Sequence, residues 1–390
     1  MKAENAKGNE NNKSRRIGDL LTAGVFLLFV FGIGIMTIAT KDREFSEMEN
    51  RTLAQRPVLT LESVKKGEYT DKLETYLSDQ VFLKDPFVSI KTDFDRLLGK
   101  SFQNGVYLTH DSDGSLRFLQ QYTENPAQLD ENVDYINEFA ESVDIPVDFI
   151  LVPNAQCALA EQLPSSALCD DQNKSFERVA QRLSDRVNFY PMNTEAAGLV
   201  GSESAYYRTD HHWTSLGAWN AVNAYLAASG QKNILPEYQS ESIPDFYGTL
   251  YSKAPSAFTE PDPLWLYTNP NGEYTVTWLP EGRTADSIID RSFFEKKDKY
   301  AGFLGGNFTR VDITSNTEGE RVLIVKDSYA NAAMQFFIDQ YSRITMLDMR
   351  YYRMQLQTVA ELCEEMQADR VILLYNMDFL NEDRNFVWLT

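Results

Sequence analysis

Apolar and polar positions divide the chain into an uncharged run, a helical lead-in and an alternating body. From Leu20 to Thr40 no residue is charged, and the run is built mainly of Leu, Val, Phe, Ile and Met. A bilayer crossing needs roughly 20 such residues, so 19–40 is predicted to be a transmembrane helix. Residues 62–100 carry apolar positions spaced by three and four (Leu73, Tyr76, Leu77; Phe87, Ile90, Phe94, Leu97, Leu98), which predicts helix closed by Gly99. Asn104–Leu108 and Leu116–Phe118 flank Asp111-Ser112-Asp113-Gly114 and read as a small hairpin.

From residue 128 the period alternates. An amphipathic helix over 128–142 precedes a short, mainly apolar strand, Val147–Val152, ending at Pro153-Asn154. Ser175–Leu183 reads as helix and Val187–Tyr190 as strand. After 236–315, which is rich in Pro, Gly, Tyr and Trp, come strand Arg321–Val325, helix Ala330–Tyr341, strand Ile344–Leu347, helix Gln355–Gln367 and strand Val371–Tyr375. Short apolar strands separated by helices predict an α/β fold, a mostly parallel sheet covered on both faces. The expected divisions are a tail (1–18), an anchor (19–40), lead-in helices with the hairpin (41–127) and an α/β domain (128–390) interrupted by an irregular β-rich insertion (236–315). Trp265, Tyr267 and Trp278 of the insertion are either its core or a sugar-binding surface.

Charge narrows the function. Lys+Arg is 37 and Asp+Glu is 57, a formal net charge of −20. No basic face for phosphates is expected, which argues against nucleic acid as partner. Lys13, Arg15 and Arg16 precede the apolar run, whereas Lys41-Asp42-Arg43-Glu44 after it is balanced. The positive-inside rule then predicts a cytoplasmic N-terminus and an extracellular main domain on a single-pass cell-membrane protein. The competing reading, a cleaved leader, fits less well, because the run exceeds the usual apolar region and lacks a good small-x-small site. Cys157, Cys169 and Cys363 form no zinc-type spacing; the first two are close enough in sequence to pair, and Cys363 falls in a helical pattern.

Candidate chemistry gathers at two places. Tyr206-Tyr207-Arg208-Thr209-Asp210-His211-His212-Trp213 holds two of the chain's three histidines and runs into a helix with apolar positions at Leu216, Trp219, Val222 and Leu226. Lys326-Asp327-Ser328-Tyr329 joins an apolar strand to a helix, the geometry that presents a serine hydroxyl beside helix N-terminal amides. A serine needs a base, and the base needs an orienting carboxylate. Asp210 and His212 are one residue apart, so in an extended loop they share a side, with His211 pointing the other way. The expected catalytic set is Ser328, His212 and Asp210. No metal or cofactor is called for. Two other readings stay open: Asp-His-His as a metal site, with His110-Asp111-Ser112-Asp113-Gly114 adding ligands to make a phosphoesterase, and a non-enzymatic surface protein binding a glycan or a partner.

Thr209-Asp210-His211-His212-Trp213-Thr214 resembles the signature of the bacterial DHHW protein family, itself similar to alginate O-acetyltransferases of the AlgX/AlgJ type. Phe45–Leu53 with Pro57, Asn104–Leu108 and Lys326–Ser328 resemble it too. The resemblance implies a three-layer α/β/α SGNH-hydrolase-like domain, a triad on Asp210, His212 and Ser328, and transfer or hydrolysis of an acyl group, acetyl by analogy, on a cell-surface polysaccharide. It also implies an acyl donor, supplied by a membrane acyltransferase partner. Lys326 stands where such enzymes commonly have an oxyanion-hole glycine. Asn154, Asn376 and Tyr329 are therefore named as oxyanion or substrate-binding candidates, and Arg208 as a substrate contact.

Overall fold

A computed structural model describes residues 2–352 and 357–390, with side chains from Arg16 onward. The chain forms two compact units, Met1–Lys91 and Thr92–Thr390. In the first, a helix spans Lys2–Ala39, and its segment Arg16–Ala39 is apolar and long enough to cross a membrane. The helical lead-in is broken where the periodicity alone predicts continuity. Leu61–Lys65, Glu68–Gln80 and Lys84–Leu97 are separate helices. The interruptions fall at Gly67 (φ +78°) and Leu83 (φ +61°), left-handed conformations that a helix cannot continue through. Asp79 is buried and accepts both terminal nitrogens of Arg51 and the Ala54 amide, which ties the extended Arg51–Ala54 segment to the second helix.

The second unit is built on an eight-stranded sheet. In chain order its strands are β1 (Val147–Val152), β2 (Val187–Pro191), β3 (Tyr274–Leu279), β4 (Arg283–Ala285), β5 (Arg310–Ser315), β6 (Arg321–Lys326), β7 (Arg343–Leu347) and β8 (Arg370–Asn376). Their spatial order is β4-β3-β5-β7-β6-β8-β1-β2. The run β7-β6-β8-β1-β2 is parallel, as the alternation predicts, and β4, β3 and β5 extend it antiparallel. The region expected to be an irregular insertion thus supplies three strands of the main sheet. The reason lies in its own pattern: Val276, Trp278, Val311 and Ile313 are buried at every second position, the period of a strand packed on one side.

Helices cover both faces. On one lie α1 (Pro126–Ser142), α2 (Gln172–Arg182), α5 (Val359–Met366) and α6 (Met377–Glu382), packed on Leu323, Val325, Leu373 and Leu151. On the other, α3 (Ser215–Ser229) and α4 (Tyr329–Phe337) pack on Val322, Ile324, Leu374 and Ile150. The helix predicted over 355–367 starts later, capped by Thr358, and its first two residues lie outside the described residues. The predicted hairpin forms within a three-stranded sheet of Phe102–Gln103, Val106–His110 and Leu116–Gln120. Cys157 and Cys169 are free thiols, directed toward Asn173 and Gln156 respectively. The register sets β1, β6 and β8 side by side, so Asn154 and Ser328, just past their strands, and Asn376, the last residue of β8, all lie at the carboxyl ends of the strands, where open parallel sheets bind ligands.

Candidate active site

Ser328 occupies the N-cap of α4, yet its side chain makes no capping bond. Asp327 caps instead: its carboxylate accepts the Tyr329 amide at 2.8 Å and the Asn376 amide at 2.6 Å. Burial pushes the Asp327 carboxyl up to about 6 against these bonds. The division of labour releases the Ser328 hydroxyl, which lies 2.8 Å from His212 Nε2. His212 Nδ1 is 2.5 Å from Asp210 Oδ1, and the His212 amide donates to the same oxygen at 3.0 Å. The structure therefore brings together the serine, imidazole and carboxylate expected from the sequence.

Asp210 is buried (2% exposed). Burial opposes its charge, but the two imidazoles, the His212 bond and the Thr249 amide outweigh it and hold the carboxyl well below the usual carboxylate range. Its second oxygen accepts the Thr249 amide at 2.7 Å and the Thr249 hydroxyl at 3.1 Å. Thr249 and its neighbour Gly248 escaped the sequence reading, because nothing local marks a threonine 39 residues downstream as a carboxylate partner. Gly248 leaves no room for a side chain: a Cβ there would sit 2.2 Å from that of Asp210. Gly248→Ala is expected to push Asp210 off its partners and to lower stability by about 2 kcal/mol, read from denaturant unfolding. An unchanged midpoint would show that the loop gives way freely.

His211 does not point away. Its ring lies 3.8 Å from that of His212, and its Nδ1 meets the Thr249 hydroxyl at 2.7 Å. Alternation fails because the segment is a closed loop, with Tyr206 bridged to Trp213, and not an extended strand. Desolvation and the neighbouring His212 push the His211 imidazole down, favouring its neutral form. Trp213 Nε1 donates to the Tyr329 carbonyl at 2.9 Å, pinning this loop to α4. Tyr300, also missed, stacks flat on His212 at 3.7 Å and 8°, and its hydroxyl donates to the Ser328 carbonyl at 3.1 Å.

The remaining candidates sit differently. Lys326 is fully buried; its ammonium donates to Asn331 at 2.7 Å and Asn307 at 3.2 Å and lies 3.5 Å from Asp348. Asn376 donates its side-chain amide to Val152, and Asn154 donates to Asp378 at 2.7 Å. The Tyr329 amide is engaged by Asp327 and its hydroxyl by the His211 carbonyl. Arg208 is not brought to the serine. It faces Asp262 and Pro261 and lines a separate cleft of about 380 Å³ with Trp265 and Tyr267. Of the three aromatics in the β-rich region, Trp278 is core, whereas Trp265 is 41% exposed. Asp111 pairs with Arg117 and lines that second cleft, and His110 lies beside Arg96, so the turn on which the rival metal reading would draw stays apart from Asp210. Among the described residues, Asp210, His211 and His212 could gather on an ion, with ligand atoms within 4.8 Å of one another. His211 Nδ1, both His212 ring nitrogens and both Asp210 oxygens are already engaged by Thr249, Ser328 and each other.

Ser328 opens onto a cleft of about 470 Å³ that α6 and the segment after it also line. Asp378 stands there with one oxygen held by Asn154 and by Gln120 at 2.9 Å. Burial and Glu382 push its carboxyl up to about 7, against Lys253 and the two amide donors. A raised carboxyl favours folding only while protonated, so this contribution is complete below the unfolded value and lost as pH rises through about 7. Asp378→Asn is expected to gain about 2 kcal/mol on the wild type between about pH 5 and about pH 8. Parallel pH profiles of unfolding would refute this.

Comparisons with known proteins agree with this architecture. The DHHW protein family matches residues 122–347. A solved DHHW family protein from Eubacterium siraeum superposes with a TM-score of 0.63 at 26% identity, covering 73% of this chain and 94% of that one. Bacillus cereus PatB1, solved with a sulfonyl adduct, gives 0.61 at 20% identity, covering 73% and 99%. The O-acetyltransferase domain of Pseudomonas putida AlgJ gives 0.44 at 15% identity, covering 71% and 93%. No curated protein matched. With the family matching more than half of its length, and its Asp-His-His-Trp residues gathered at the serine, the chain belongs to the DHHW family.

Proposed function

We propose that this protein is a membrane-anchored extracytoplasmic enzyme that moves an acyl group, acetyl by resemblance, to or from a cell-surface polysaccharide. One observation carries the reading: a serine hydroxyl, freed from capping, lies 2.8 Å from an imidazole whose other nitrogen is 2.5 Å from a buried carboxylate. His212 Nε2 takes the Ser328 proton as Oγ bonds to the acyl carbon; Asp210 fixes the tautomer and stabilises the imidazolium. The tetrahedral intermediate collapses, the leaving group takes the proton from His212, and an acyl-enzyme remains. A sugar hydroxyl, or water in the esterase reaction, then loses its proton to His212 and attacks. The Ser328 amide at the head of α4 has no acceptor among the described residues, which makes it the candidate oxyanion donor where Lys326 replaces the glycine.

The apolar segment Arg16–Ala39 supports the anchor. It would hold the cleft near the membrane, where a partner acyltransferase delivering acyl groups across the bilayer is the expected source of donor. The test uses the full-length protein in detergent with an aryl acetate. Intact-mass detection of an acetylated enzyme, with the acetyl group on Ser328 and lost on adding a glycan acceptor, is the expected result. Aryl acetates that leave no acetyl group on the protein and pass none to a glycan would sink the reading.

A further inference from the structure

The last helix of the lead-in, Lys84–Leu97, turns its polar side inward and its apolar side out. Ile90, Phe94 and Leu97, with Leu98 directly after the helix, recur by three and four residues, which at 3.6 residues per turn sets them on one face. That face is open: the four side chains are 61%, 59%, 84% and 62% exposed. Thr92, on the other side, is buried (1% exposed), and Asp93 and Arg96 engage the Ser256 hydroxyl. A helix packed on a protein core buries its apolar stripe. Single exposed apolar residues are ordinary, but four large ones in succession on one helix mark a surface that meets something apolar.

What it meets follows from where the helix begins. Its start is fastened to the end of the apolar segment Arg16–Ala39. The Phe82 amide donates to the Thr37 hydroxyl at 3.0 Å. The Arg43 guanidinium donates to Asp85 at 2.8 and 3.3 Å, and the Gln80 side-chain amide exchanges two 2.9 Å bonds with the Arg43 backbone. Phe87, three residues before Ile90 on the same face, sets its ring 5.8 Å from that of Phe29, inside the segment. When that segment spans a bilayer, a ring against Phe29 lies at the depth of the acyl chains, and the stripe that starts there continues in lipid. Lys84, Lys91 and Arg96 balance Asp85, Asp93 and Asp95 along the helix, so apolar burial makes the contact and not attraction to anionic headgroups.

We propose that helix Lys84–Leu97 is a second, in-plane membrane attachment beside the span, with Ile90, Phe94, Leu97 and Leu98 inserted among the lipids. This rests on the reading of Arg16–Ala39 as an anchor, and the test separates the two. Full-length protein carrying photoreactive p-benzoylphenylalanine in place of Phe94 is reconstituted in phosphatidylcholine vesicles, irradiated and analysed by mass. The comparison places the same probe at Ser89, whose hydroxyl faces Met48 on the opposite flank of the helix. The expected result is a covalent phosphatidylcholine adduct at position 94, in a yield about fivefold or more above that at position 89. Ile90→Glu combined with Leu97→Glu is expected to cut the adduct at position 94 about threefold or more, and both side chains are exposed, so the fold does not depend on them. An adduct no more abundant at 94 than at 89, or crosslinking of position 94 to a second copy of the chain in place of lipid, would overturn the in-plane attachment. Carbonate extraction of the same vesicles reads the anchor independently. Release of the protein would overturn the anchor and this inference with it, whereas a retained protein without a lipid adduct at position 94 would overturn the in-plane attachment alone.

Discussion

Ser328→Ala is expected to lower kcat/KM for acyl transfer by about a thousandfold or more, and His212→Ala by a similar factor. The effect is large because the serine carries the acyl group and the imidazole both removes and returns its proton. Without Nε2 at 2.8 Å, the hydroxyl is a weak nucleophile at neutral pH. Residues that act as one unit do not add, so the double variant should be hardly worse than either single one. Ser328 lines the cleft with His212 beside it, and neither belongs to the apolar core, so far-ultraviolet circular dichroism should be unchanged. Initial rates with an aryl acetate, with and without a glycan acceptor, check the expectation. If the double variant lost the product of the two single factors, independent roles would replace the triad.

Asp210→Asn is expected to cost about a thousandfold in kcat/KM with KM little changed. An amide at this position would present either a donor or a neutral acceptor to His212 Nδ1, and neither holds the reactive tautomer while supporting an imidazolium. The replacement also loses charge-assisted bonds from the Thr249 amide and hydroxyl, at 2.7 and 3.1 Å. The sign of the stability effect follows from the depressed carboxyl of Asp210. Its contribution is present above the unfolded-state pKa, about 4, and is lost as pH falls further. The wild type should therefore exceed the variant in stability at neutral pH, with the gap closing in acid. Denaturant titrations at several pH values would read this, and a gap that widened in acid would contradict it.

Much of this site can be read from residue pattern alone, and the reason is covalent proximity. Asp210 and His212 are neighbours in sequence, and Ser328 is marked by the strand and helix on either side of it. The parallel strands are legible for a related reason: β1, β6 and β8 are buried on both faces, so Val322–Val325 and Val371–Tyr375 are unbroken apolar runs and Asp148 alone interrupts Val147–Val152. What escaped depends on chain segments meeting in space. Gly248, Thr249 and Tyr300 come from a stretch whose periodicity is weak, and their partners lie 28 to 88 residues away. His211 was misplaced because alternation was applied to a loop. The β character of residues 236–315 is legible, but nothing local shows that β3, β4 and β5 pair onto the parallel sheet and do not form an insertion of their own. Arg208 drew attention through nearness in sequence to Asp210, but a closed loop sends near neighbours to opposite walls.

The stretch that looks like a decoration on the sheet supplies the bond that fixes Asp210, the ring that lies on His212 and the glycine that lets the chain close over both. Modularity therefore fails here. A shortened version keeping only the strongly periodic strands and helices would retain serine, histidine and aspartate in its sequence, yet leave the imidazole free to swing. Transplanting the reactive residues onto a trimmed scaffold, or exchanging this region between relatives to alter substrate choice, would have to carry Gly248, Thr249 and Tyr300 along as one inheritance.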